Sequence, residues 1–335
     1  MRYSDKYFMN LAISEAIKGD SDVYPNPRVG CIIVKDNKII GSGYHKLFGS
    51  EHAEEAAIKS ASKNLHGASI YITLEPCSHF GNRPPCTDLI IRNNFKKVVI
   101  GSLDPNPIAN KGSEVLKASG IKVITGVCES ESKKINQRFY TYYEKGRPYV
   151  ILKFASTLDG FLAEKNGRSK WITGERARKS VHQLRSKCDA ILVGSKTILN
   201  DNPELTSHGE GNDPKIVIIN PNTSIPKNFK IQKNTPMFIN DGLTNNWEKN
   251  ISIILNKLKN KKIQTVLVEG GGKTISSFIE SDIFDEIHMY LGPKFLGEGI
   301  SFFNKISKLE DDRGLYIDKI ENFEMDICIK YIRKY

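Results

Sequence analysis

The 335-residue sequence lacks several features that would place it outside the ordinary globular proteins. It has no apolar run of about eighteen residues, the length that a helix needs to cross a membrane. Its first ten residues, MRYSDKYFMN, are too polar for a signal peptide. Cysteine is scarce, with six residues, too few for a disulfide framework in a chain of this size. We therefore expect a cytoplasmic protein whose cysteines are reduced and able to bind metal.

The overall composition is that of a soluble globular protein, with 39% hydrophobic and 26% charged residues. The length is sufficient for two domains, each with its own core. The formal net charge is +11, but the basic residues are scattered, with only short clusters such as Lys96-Lys97 and Lys261-Lys262. A solvated lysine-rich surface explains this charge, and so does attraction for anionic substrates or nucleic acid. Charge alone does not decide between them.

The first half of the chain alternates helical and strand patterns, which predicts an α/β layered domain. Ser4 or Asp5 can cap the first helix and Gly19 can end it, while Asp36-Asn37 suits a tight hairpin turn. The predicted elements are a helix at residues 4–18, strands at 29–35 and 38–44, a helix near 52–63, a strand at 69–74, and further alternating segments at 89–93, 98–101, 113–118 and 122–125.

A domain boundary is predicted in YEKGRPYV (143–150), where Gly146 and Pro148 interrupt regular structure. This divides the chain into domains at residues 1–145 and 146–335. The second half again has an α/β pattern, without a clear repeat of the first. Its predicted elements are strands at residues 150–155, 190–193, 215–219 and 265–268, helices at 175–187 and 273–280, β-rich segments at 286–291 and 326–332, and a mobile loop at 206–213.

A candidate metal site begins with EHAEEAA (51–57), where His52 and Glu54 are two residues apart on a predicted helix. Side chains at this spacing point about 200° apart, so both cannot be ligands of one metal by simple stacking. The spacing favours His52 as a ligand and Glu54 as an acid that reaches a metal-bound water. Cys77 and Cys86 would add two thiolates. Three protein ligands plus a water are typical of catalytic zinc, which generates hydroxide near neutral pH.

The whole pattern is more specific than its parts. An H-x-E sequence is most often a surface helix, and two cysteines in a long chain are usually buried apolar residues. The combination H-A-E, a strand and then T-L-E-P-C matches the zinc deaminases, whose signature is H-x-E followed by P-C-x-x-C. Here eight residues separate Cys77 from Cys86, instead of two. The sequence predicts one hydrolytic Zn²⁺ per chain.

The second half contains VLVEGGGKTISSF (266–278), a buried strand followed by three glycines and a helix start. Backbone amides and the positive end of a helix can bind phosphate in such a unit. A helix entry that needs a flexible backbone is the plainer explanation. The segment is not a G-x-G-x-x-G fingerprint. It is not a Walker loop either, because Gly272-Lys273-Thr274 matches only the last three places of that pattern.

Several stretches together resemble one family over nearly the whole chain, the bifunctional riboflavin-biosynthesis deaminase/reductases. They are YPNPRVGCIIV (24–34), EHAE (51–54), YITLEPCSHFGNRPPC (71–86), DPNP (104–107), LKFASTLDG (152–160), SKWITG (169–174) and VLVEGGGKTISSF. The resemblance implies an α/β architecture with a cytidine-deaminase-like three-layer domain followed by a dihydrofolate-reductase-like domain. It also implies zinc ligation by His52, Cys77 and Cys86 and a proton shuttle at Glu54. Substrate contacts in the first domain would be Asn26, His45 and His79.

In the second domain the resemblance implies an NADPH site beside a site for the ribose phosphate of the substrate. Trp171 and Asp201 would otherwise be turn residues, and Arg185 a solvated helix residue. The implied NADPH contacts are Ala155, Trp171, Thr197, Asp201, Gly271, Gly272, Lys273, Thr274, Ile275, Ser276 and Ser277. The implied substrate contacts are Lys153, Ser169, Arg185, Leu205, His208 and Glu269, with His208 standing where related chains often carry arginine.

The segment between the two cysteines departs from the family pattern. The family usually has G-[K/R]-T-P-P-C at this point, whereas the present chain has Gly81, Asn82, Arg83 and then Pro-Pro-Cys. The basic residue is displaced by one position and the threonine is missing. A contact between Arg83 and a substrate phosphate is therefore open.

The implied function is a two-step, multifunctional enzyme of riboflavin biosynthesis. The first domain would be a zinc-dependent aminohydrolase that releases ammonia from 2,5-diamino-6-ribosylamino-4(3H)-pyrimidinone 5′-phosphate. The second would be an oxidoreductase that transfers a hydride from NADPH to C1 of the ribosyl group of the uracil product, which opens the sugar to a ribityl chain. We expect a homo-oligomer that acts on small phosphorylated pyrimidines and binds neither nucleic acid nor membrane.

Two other functions stay open at this point. A nucleic-acid or nucleotide zinc deaminase with an accessory domain would use the same chemistry, and salt-dependent RNA binding would support it. A non-catalytic protein would use His52, Cys77 and Cys86 to hold structural zinc. Glu54 argues against the latter, because a structural site fills its fourth position with protein and has no use for a nearby acid.

Overall fold

The computed structural model describes residues 3–81, 83–169, 171–219, 224–244, 246–303 and 313–333. The chain divides into two compact units, Met1–Gly146 and Arg147–Tyr335, hereafter the N-terminal and C-terminal units. Within the described ranges, no helix is both long and apolar enough to cross a membrane.

The N-terminal unit is a five-stranded sheet covered by helices on both faces. The strand order is β2-β1-β3-β4-β5, and β1 runs antiparallel to both of its neighbours, whereas β3, β4 and β5 are parallel. The elements are α1 (Asp5–Ile17), β1 (Gly30–Lys35), β2 (Lys38–Tyr44), α2 (Ala53–Lys59), β3 (Ser69–Leu74), α3 (Cys86–Arg92), β4 (Lys97–Ser102), α4 (Gly112–Ala118), β5 (Lys122–Ile124), α5 (Glu129–Lys134) and α6 (Gln137–Glu144).

Local sequence signals account for the first elements of this unit. The Ser4 hydroxyl accepts a hydrogen bond from the backbone N–H of Tyr7, which caps α1 as predicted. Asp36 and Asn37 have φ angles of 50° and 61°, the left-handed values that a two-residue hairpin turn requires. The hairpin prediction is therefore confirmed. The helices α5 and α6 lie outside the predicted pattern, because α5 is short and polar and α6 is rich in aromatic residues that favour strands.

Two apolar clusters fill the layers on either side of this sheet. One face of the sheet packs on α2, α3 and α4, and the other packs on α1 through side chains such as Phe8 and Met9. The contact between α2 and β2 is very close, since a Cβ placed on Gly43 would lie 2.4 Å from the backbone nitrogen of Ala57. A glycine is needed there. This contact fixes the position of α2, which begins next to His52.

The C-terminal unit is built on an eight-stranded mixed sheet. The strand order is β10-β9-β8-β11-β6-β12-β15-β14, parallel from β10 to β12, with β15 antiparallel to both β12 and β14. The elements are β6 (Tyr149–Ser156), β7 (Phe161–Ala163), α7 (Glu175–Ser186), β8 (Ala190–Gly194), α8 (Ser195–Asp201), β9 (Lys215–Ile219), β10 (Met237–Ile239), α9 (Trp247–Asn260), β11 (Thr265–Val268), α10 (Gly272–Glu280), β12 (Glu286–Leu291), β13 (Ile300–Ser301), β14 (Leu315–Phe323) and β15 (Asp326–Arg333).

Every element predicted for the second half is present within two residues of its predicted bounds. The strands β7, β10, β13 and β14 and the helices α8 and α9 are additional. A readable signal exists for α9, because Ile251, Ile254, Leu255 and Leu258 follow the helical spacing and are all buried. The segment at 206–213 is an irregular loop, in which the Asp213 carboxylate accepts hydrogen bonds from both the backbone N–H and the hydroxyl of Ser207.

Three neighbouring parallel strands, β8, β11 and β6, bring their carboxyl ends to one edge of the C-terminal sheet. Ligands of open α/β sheets bind at this edge, where the loops that follow the strands meet. Lys153 lies in the second half of β6, Gly194 ends β8 and Glu269 follows β11 directly. The topology therefore places two of the separated sequence motifs, 152–160 and 266–278, at the same edge of the sheet.

Candidate active sites

The predicted metal ligands of the N-terminal unit come together in the structure. His52 occupies the N-cap position of α2, and Cys86 is the first residue of α3. Cys77 lies in the loop between β3 and α3. His52 Nδ1 lies 3.2 Å from Cys86 Sγ and 3.6 Å from Cys77 Sγ. The three potential ligand atoms lie within 4.8 Å of one another. One imidazole and two thiols at this separation fit a tetrahedral zinc ion with one further position.

The electrostatics of this cluster also suit a metal. Hydrogen bonds from the Cys86 thiol and from the Cys86 backbone N–H, 3.4 Å from Cys77 Sγ, lower the pKa of the Cys77 thiol. The remaining proton is held at Cys86, whose pKa is raised by its contact with Cys77 and by burial. The contact with Cys77 raises the pKa of His52. The lowered pKa of Cys77 favours its thiolate, the form of cysteine that binds metal.

Glu54 lies beside the ligands in the first turn of α2 and is 3% exposed. Burial raises the pKa of its carboxyl group, although the neighbouring His52 opposes part of this effect. A carboxyl group with a raised pKa can accept a proton and return it near neutral pH. The position two residues after His52 therefore places a buried carboxyl group beside the cluster.

Glu75 is a residue of this site to which the sequence pattern assigned no role. Its buried carboxylate accepts hydrogen bonds from the backbone N–H groups of Asp104, at 3.1 Å, and of Ser113, at 2.8 Å. It thereby ties the segment just before Cys77 to the loop after β4 and to the first turn of α4. The only signal in the sequence is an acid directly before Pro-Cys. Asp104 is itself buried, which raises the pKa of its carboxyl group to about 7.

Two of the predicted pyrimidine contacts form a hydrogen-bonded pair. The Asn26 amide nitrogen lies 3.1 Å from His45 Nε2, and His45 Nδ1 lies 2.9 Å from the carbonyl oxygen of Glu51. His45 therefore donates through Nδ1 and accepts through Nε2 as a neutral imidazole, and burial lowers its pKa. The His45 and His52 rings meet edge to face at 5.7 Å. These contacts place His45 and Asn26 against the metal cluster.

The segment between the cysteines contributes His79 and Arg83. The Nδ1 atom of His79 is buried and has no hydrogen-bond partner among the described residues. A buried polar atom of this kind is normally satisfied by a ligand or water. Arg83 Nη1 lies 2.6 Å from Glu55 Oε2 on α2. Asn82 lies outside the described residues, so the displaced basic position is represented by Arg83 alone.

The C-terminal unit has a cavity of about 530 Å³ at the strand edge described above. It is large enough for most of a dinucleotide or for a cofactor and a small substrate. Ten of the residues predicted to contact NADPH or substrate line it: Lys153, Ala155, Ser169, Thr197, Asp201, Glu269, Gly271, Gly272, Lys273 and Thr274.

The glycine segment forms the turn that the sequence predicted, between β11 and α10. A Cβ placed on Gly272 would lie 2.4 Å from the carbonyl oxygen of Ser301, so only glycine fits the close packing at the start of α10. The backbone N–H of Gly271 donates to the hydroxyl of Thr197, at 3.1 Å, which links the turn to α8. Residues 270–273 of this turn line the cavity at the start of α10, the kind of position where a helix N-terminus can bind phosphate.

Four of the predicted NADPH contacts do not line this cavity. Trp171 is 61% exposed and has a φ angle of 74°, with the guanidinium of Arg178 stacked 4.5 Å from its ring. Ile275 is fully buried in the apolar core. The Ser276 hydroxyl donates to Glu280 and the Ser277 hydroxyl donates to the carbonyl oxygen of Lys273.

Lys153, Glu269 and Arg185 form a buried ionic triad at the cavity wall. Arg185 donates to both oxygens of Glu269, at 2.8 and 2.9 Å, and Lys153 Nζ lies 3.7 Å from the same carboxylate. Burial alone would raise the pKa of Glu269, but the charges of Arg185 and Lys153 outweigh it and lower the pKa to about 2. Burial lowers the pKa of Lys153. Arg185 is therefore not a solvated helix residue.

Two of the predicted substrate contacts, Leu205 and His208, lie in the segment after α8. Leu205 has a φ angle of 59° and is packed in an apolar cluster. The carbonyl oxygen of Thr206 accepts a hydrogen bond from Arg185 at 3.1 Å. The His208 ring stacks 4.2 Å from the ring of His182. Ser169 donates to Asp201 at 3.3 Å on the cavity wall.

Several cavity residues were not identified from the sequence. Trp247 begins α9, a helix absent from the predicted pattern, and Lys196 and Asn200 belong to α8, which was also missed. Only the pattern of α9 carried a usable signal. Apolar side chains complete the wall, namely Phe154, Leu162, Ile172, Ile219 and Ile300.

Comparison with known proteins agrees with the division into two units. Residues 2–102 match the model of the cytidine and deoxycytidylate deaminase zinc-binding region, and residues 148–329 match that of the RibD C-terminal domain. Riboflavin biosynthesis protein RibD of Aquifex aeolicus is 40% identical over 99% of both chains. The chain belongs to the RibD family of riboflavin biosynthesis proteins. RibD of Escherichia coli is 32% identical over 98% of this chain and 99% of its own.

Solved structures of the family confirm the architecture. The deaminase/reductase of Thermotoga maritima is 38% identical, with a TM-score of 0.84 over 98% of this chain and 99% of its own. RibD of Acinetobacter baumannii is 33% identical, with a TM-score of 0.87 over 99% of both chains. The predicted cytidine-deaminase-like and dihydrofolate-reductase-like folds are therefore confirmed. Family membership makes the chain a deaminase joined to a reductase of riboflavin biosynthesis, which argues against a non-catalytic zinc protein.

Proposed function

We propose that the N-terminal unit deaminates 2,5-diamino-6-ribosylamino-4(3H)-pyrimidinone 5′-phosphate at one Zn²⁺ held by His52, Cys77 and Cys86. The observation that carries this proposal is the convergence of the three ligand atoms within 4.8 Å, with a buried carboxyl group beside them. Zinc at this position would lower the pKa of a bound water toward neutrality.

Glu54 would move the protons of this reaction. Its carboxylate would accept one proton from the attacking water and pass it to the adjacent ring nitrogen. It would then move the proton of the added hydroxyl to the amino group, which leaves as ammonia as the ring carbon becomes a carbonyl. The raised pKa of Glu54 supports this role, because a shuttle must both take and release a proton at the working pH. Burial in the α2 turn also keeps the carboxyl group fixed next to the ligands.

The pyrimidine would be oriented by Asn26, His45 and His79. His45 is held as a neutral imidazole by Asn26 and the Glu51 carbonyl oxygen, so its ring has a fixed direction. The buried, unpaired Nδ1 of His79 supplies a polar atom for the substrate. Arg83 is paired with Glu55 and would have to exchange this partner to reach the substrate phosphate.

For the C-terminal unit we propose NADPH-dependent reduction of the uracil product at C1 of its ribosyl group. NADPH would supply the hydride. The glycine turn would hold the cofactor phosphates through its amides, with Thr197 and Asp201 on the facing helix. The adjoining polar wall, with Lys153, Ser169 and Glu269, would hold the sugar, and Arg185, Leu205 and His208 would surround its phosphate.

The two activities can be tested separately on the full chain. The diaminopyrimidine phosphate is supplied with NADPH, and ammonia release and NADPH oxidation are followed independently. Glu54→Gln should retain zinc and lose about 10²–10⁴-fold in the rate of ammonia release. NADPH oxidation with the deaminated uracil as substrate should remain unchanged, because the reductase site is separate.

The matched control is Glu114→Gln, an exposed glutamate on α4 that should leave both rates unchanged. Persistent deamination by the Glu54 variant would refute the proton shuttle. Failure of the wild-type chain to oxidise NADPH with the deaminated substrate would refute the reductase proposal. Turnover of RNA in place of the pyrimidine phosphate would instead support a nucleic-acid deaminase.

A further inference from the structure

A second histidine adjoins the predicted phosphate contacts of the C-terminal unit. His182 lies one turn before Arg185 on α7, and its Nδ1 atom is 3.5 Å from Arg185 Nη1. On its other side, the His182 ring is 4.2 Å from the ring of His208 at an angle of 43°. His182 therefore lies between Arg185 of α7 and His208 of the loop, which are 23 positions apart in the sequence.

The charges in the interior of this region do not balance. The triad contains two cations, Lys153 and Arg185, and one carboxylate, Glu269, and its side chains are only 10–16% exposed. Uncompensated buried charge is costly, and an anion with several oxygen atoms would offset it. The His182 ring lies next to this excess positive charge, 3.5 Å from Arg185, and the His208 ring adjoins the His182 ring.

Acidic groups near the histidines lie at the outer rim and already have basic partners. Glu210 lies 3.4 Å from Lys179 and also accepts from Gln183. Glu204 lies 3.2 Å from Lys230 and 3.7 Å from His208.

Asp213 interacts weakly with His208 and is engaged by Ser207. The groups that act on His182 itself are Arg185, His208, Glu269 and Lys153, with Glu210 at the edge. Most of them are basic, so the balance around His182 favours an anion.

We propose that His182 is a third binding residue for the substrate phosphate of the reductase, which completes a site with Arg185 and His208 whose affinity for the anion increases as the His182 imidazole gains a proton. This inference rests on the proposed function, which places that phosphate next to Arg185 and His208. It adds His182, which no sequence pattern indicated, and a dependence of binding on pH.

The direction of the pH dependence follows from the charges. In the free protein, burial and the positive charge of Arg185 lower the pKa of His182 to about 4, so the ring is neutral near pH 7. A bound dianion opposes the charge of Arg185 and raises this pKa. Binding then takes up a proton, and the affinity for a dianion must rise as the pH falls.

Inorganic sulfate is a suitable probe, because it stays a dianion over the range in which a phosphate ester gains its second proton, near pH 6. The experiment measures sulfate as a competitive inhibitor against the ribosylated uracil phosphate, with saturating NADPH, from about pH 5 to pH 8. For the wild-type full chain, the inhibition constant should increase by at least about tenfold over this range, since the anion binds more tightly when the His182 imidazole is protonated.

His182→Gln should weaken sulfate inhibition and reduce its pH dependence, and it should raise KM for the phosphorylated substrate while kcat remains near the wild-type value. His182→Lys carries a charge throughout the range, so it should keep strong inhibition that no longer varies with pH. His66→Gln, an exposed histidine of the N-terminal unit, is the matched control and should behave as wild type.

Thermal unfolding and NADPH affinity of each variant report whether the C-terminal unit is intact. An intact His182→Gln variant with the wild-type inhibition constant at every pH would overturn the proposal, even if His208→Gln weakens inhibition. If His182→Gln misfolds, His182→Lys decides the question. A wild-type dependence of its inhibition constant on pH would overturn the proposal. Absence of sulfate competition in the wild type would refute the phosphate site itself, a failure of the proposed function.

Discussion

The two sites of this chain are assembled from the sequence in different ways. The three metal ligands come from one stretch, residues 52–86, and each lies at the start of a helix or just after a strand. The reductase cavity collects its wall from residues 153–300, at the ends of several parallel strands and on α8, α9 and α10. Metal coordination restricts residue types to a few, so it leaves a readable motif. A cavity made of backbone turns and helix starts restricts them far less.

The same comparison holds for the charged groups. Glu54 and Glu269 are both buried glutamates, yet the pKa of Glu54 is raised and that of Glu269 is lowered to about 2. Burial dominates at Glu54, which has two thiols and one imidazole nearby. At Glu269 the adjacent Arg185 and Lys153 outweigh burial. Glu54 is thereby suited to proton transfer, whereas Glu269 stays ionised and holds two cations in place.

Removal of the metal should separate the two sites most strongly. Cys86→Ser, or treatment of the wild type with a chelator, should abolish ammonia release, because two ligands do not form a catalytic zinc site. Reductase activity on the deaminated substrate should be unchanged. Zinc content is measured together with both rates. Parallel loss of the two activities would show that the reductase depends on the metal centre and that the sites are not independent.

Lys153→Ala should produce the converse result. Loss of this buried cation from the cavity wall should lower kcat/KM of the reductase by at least about 10²-fold, because the bound substrate would lose a charged partner. Ammonia release should be unaffected. Lys261→Ala, an exposed lysine at the end of α9, serves as the control. A wild-type reductase rate in the Lys153 variant would remove the triad from the substrate site.

Glu75→Gln tests whether the metal site depends on residues beyond the motif. The glutamine keeps one acceptor oxygen, so one of the two hydrogen bonds, from the backbone N–H of Asp104 or of Ser113, should be lost. We expect zinc affinity to fall by about 10–100-fold, as is usual for residues that position metal ligands. Competition with a chromogenic chelator measures this change, with Glu114→Gln as the control. Unchanged affinity would mean that other contacts hold the segments at Asp104 and Ser113 in place next to the metal ligands.

The smallest effect is expected for Arg83→Ala. Its partly exposed ion pair with Glu55 should contribute no more than about 1 kcal/mol to the free energy of unfolding. Denaturant unfolding and deaminase KM are measured together. Because Arg83 is paired with α2, KM should change by less than about threefold. A much larger increase in KM with unchanged stability would show that the displaced arginine does reach the substrate.

Much of the fold follows from local sequence signals. The Ser4 cap, the Asp36-Asn37 turn and the glycine turn before α10 each satisfy a backbone requirement that few residues can meet, and all three form as predicted. The strands of both sheets were predicted wherever their apolar runs were continuous. The short strands β7, β10 and β13 have two or three residues and form only where a neighbour pairs with them.

The amino-acid order alone predicted the metal site, because the residue types and spacing of His52, Glu54, Cys77 and Cys86 are those of zinc deaminases. It did not establish how other residues meet. Glu75 acquires its role only when the backbone N–H groups of Asp104 and Ser113 meet at its carboxylate. His182 acquires its role only because α7 places it between Arg185 and the ring of His208. Such contacts join distant parts of the chain through packing, and no local spacing encodes them.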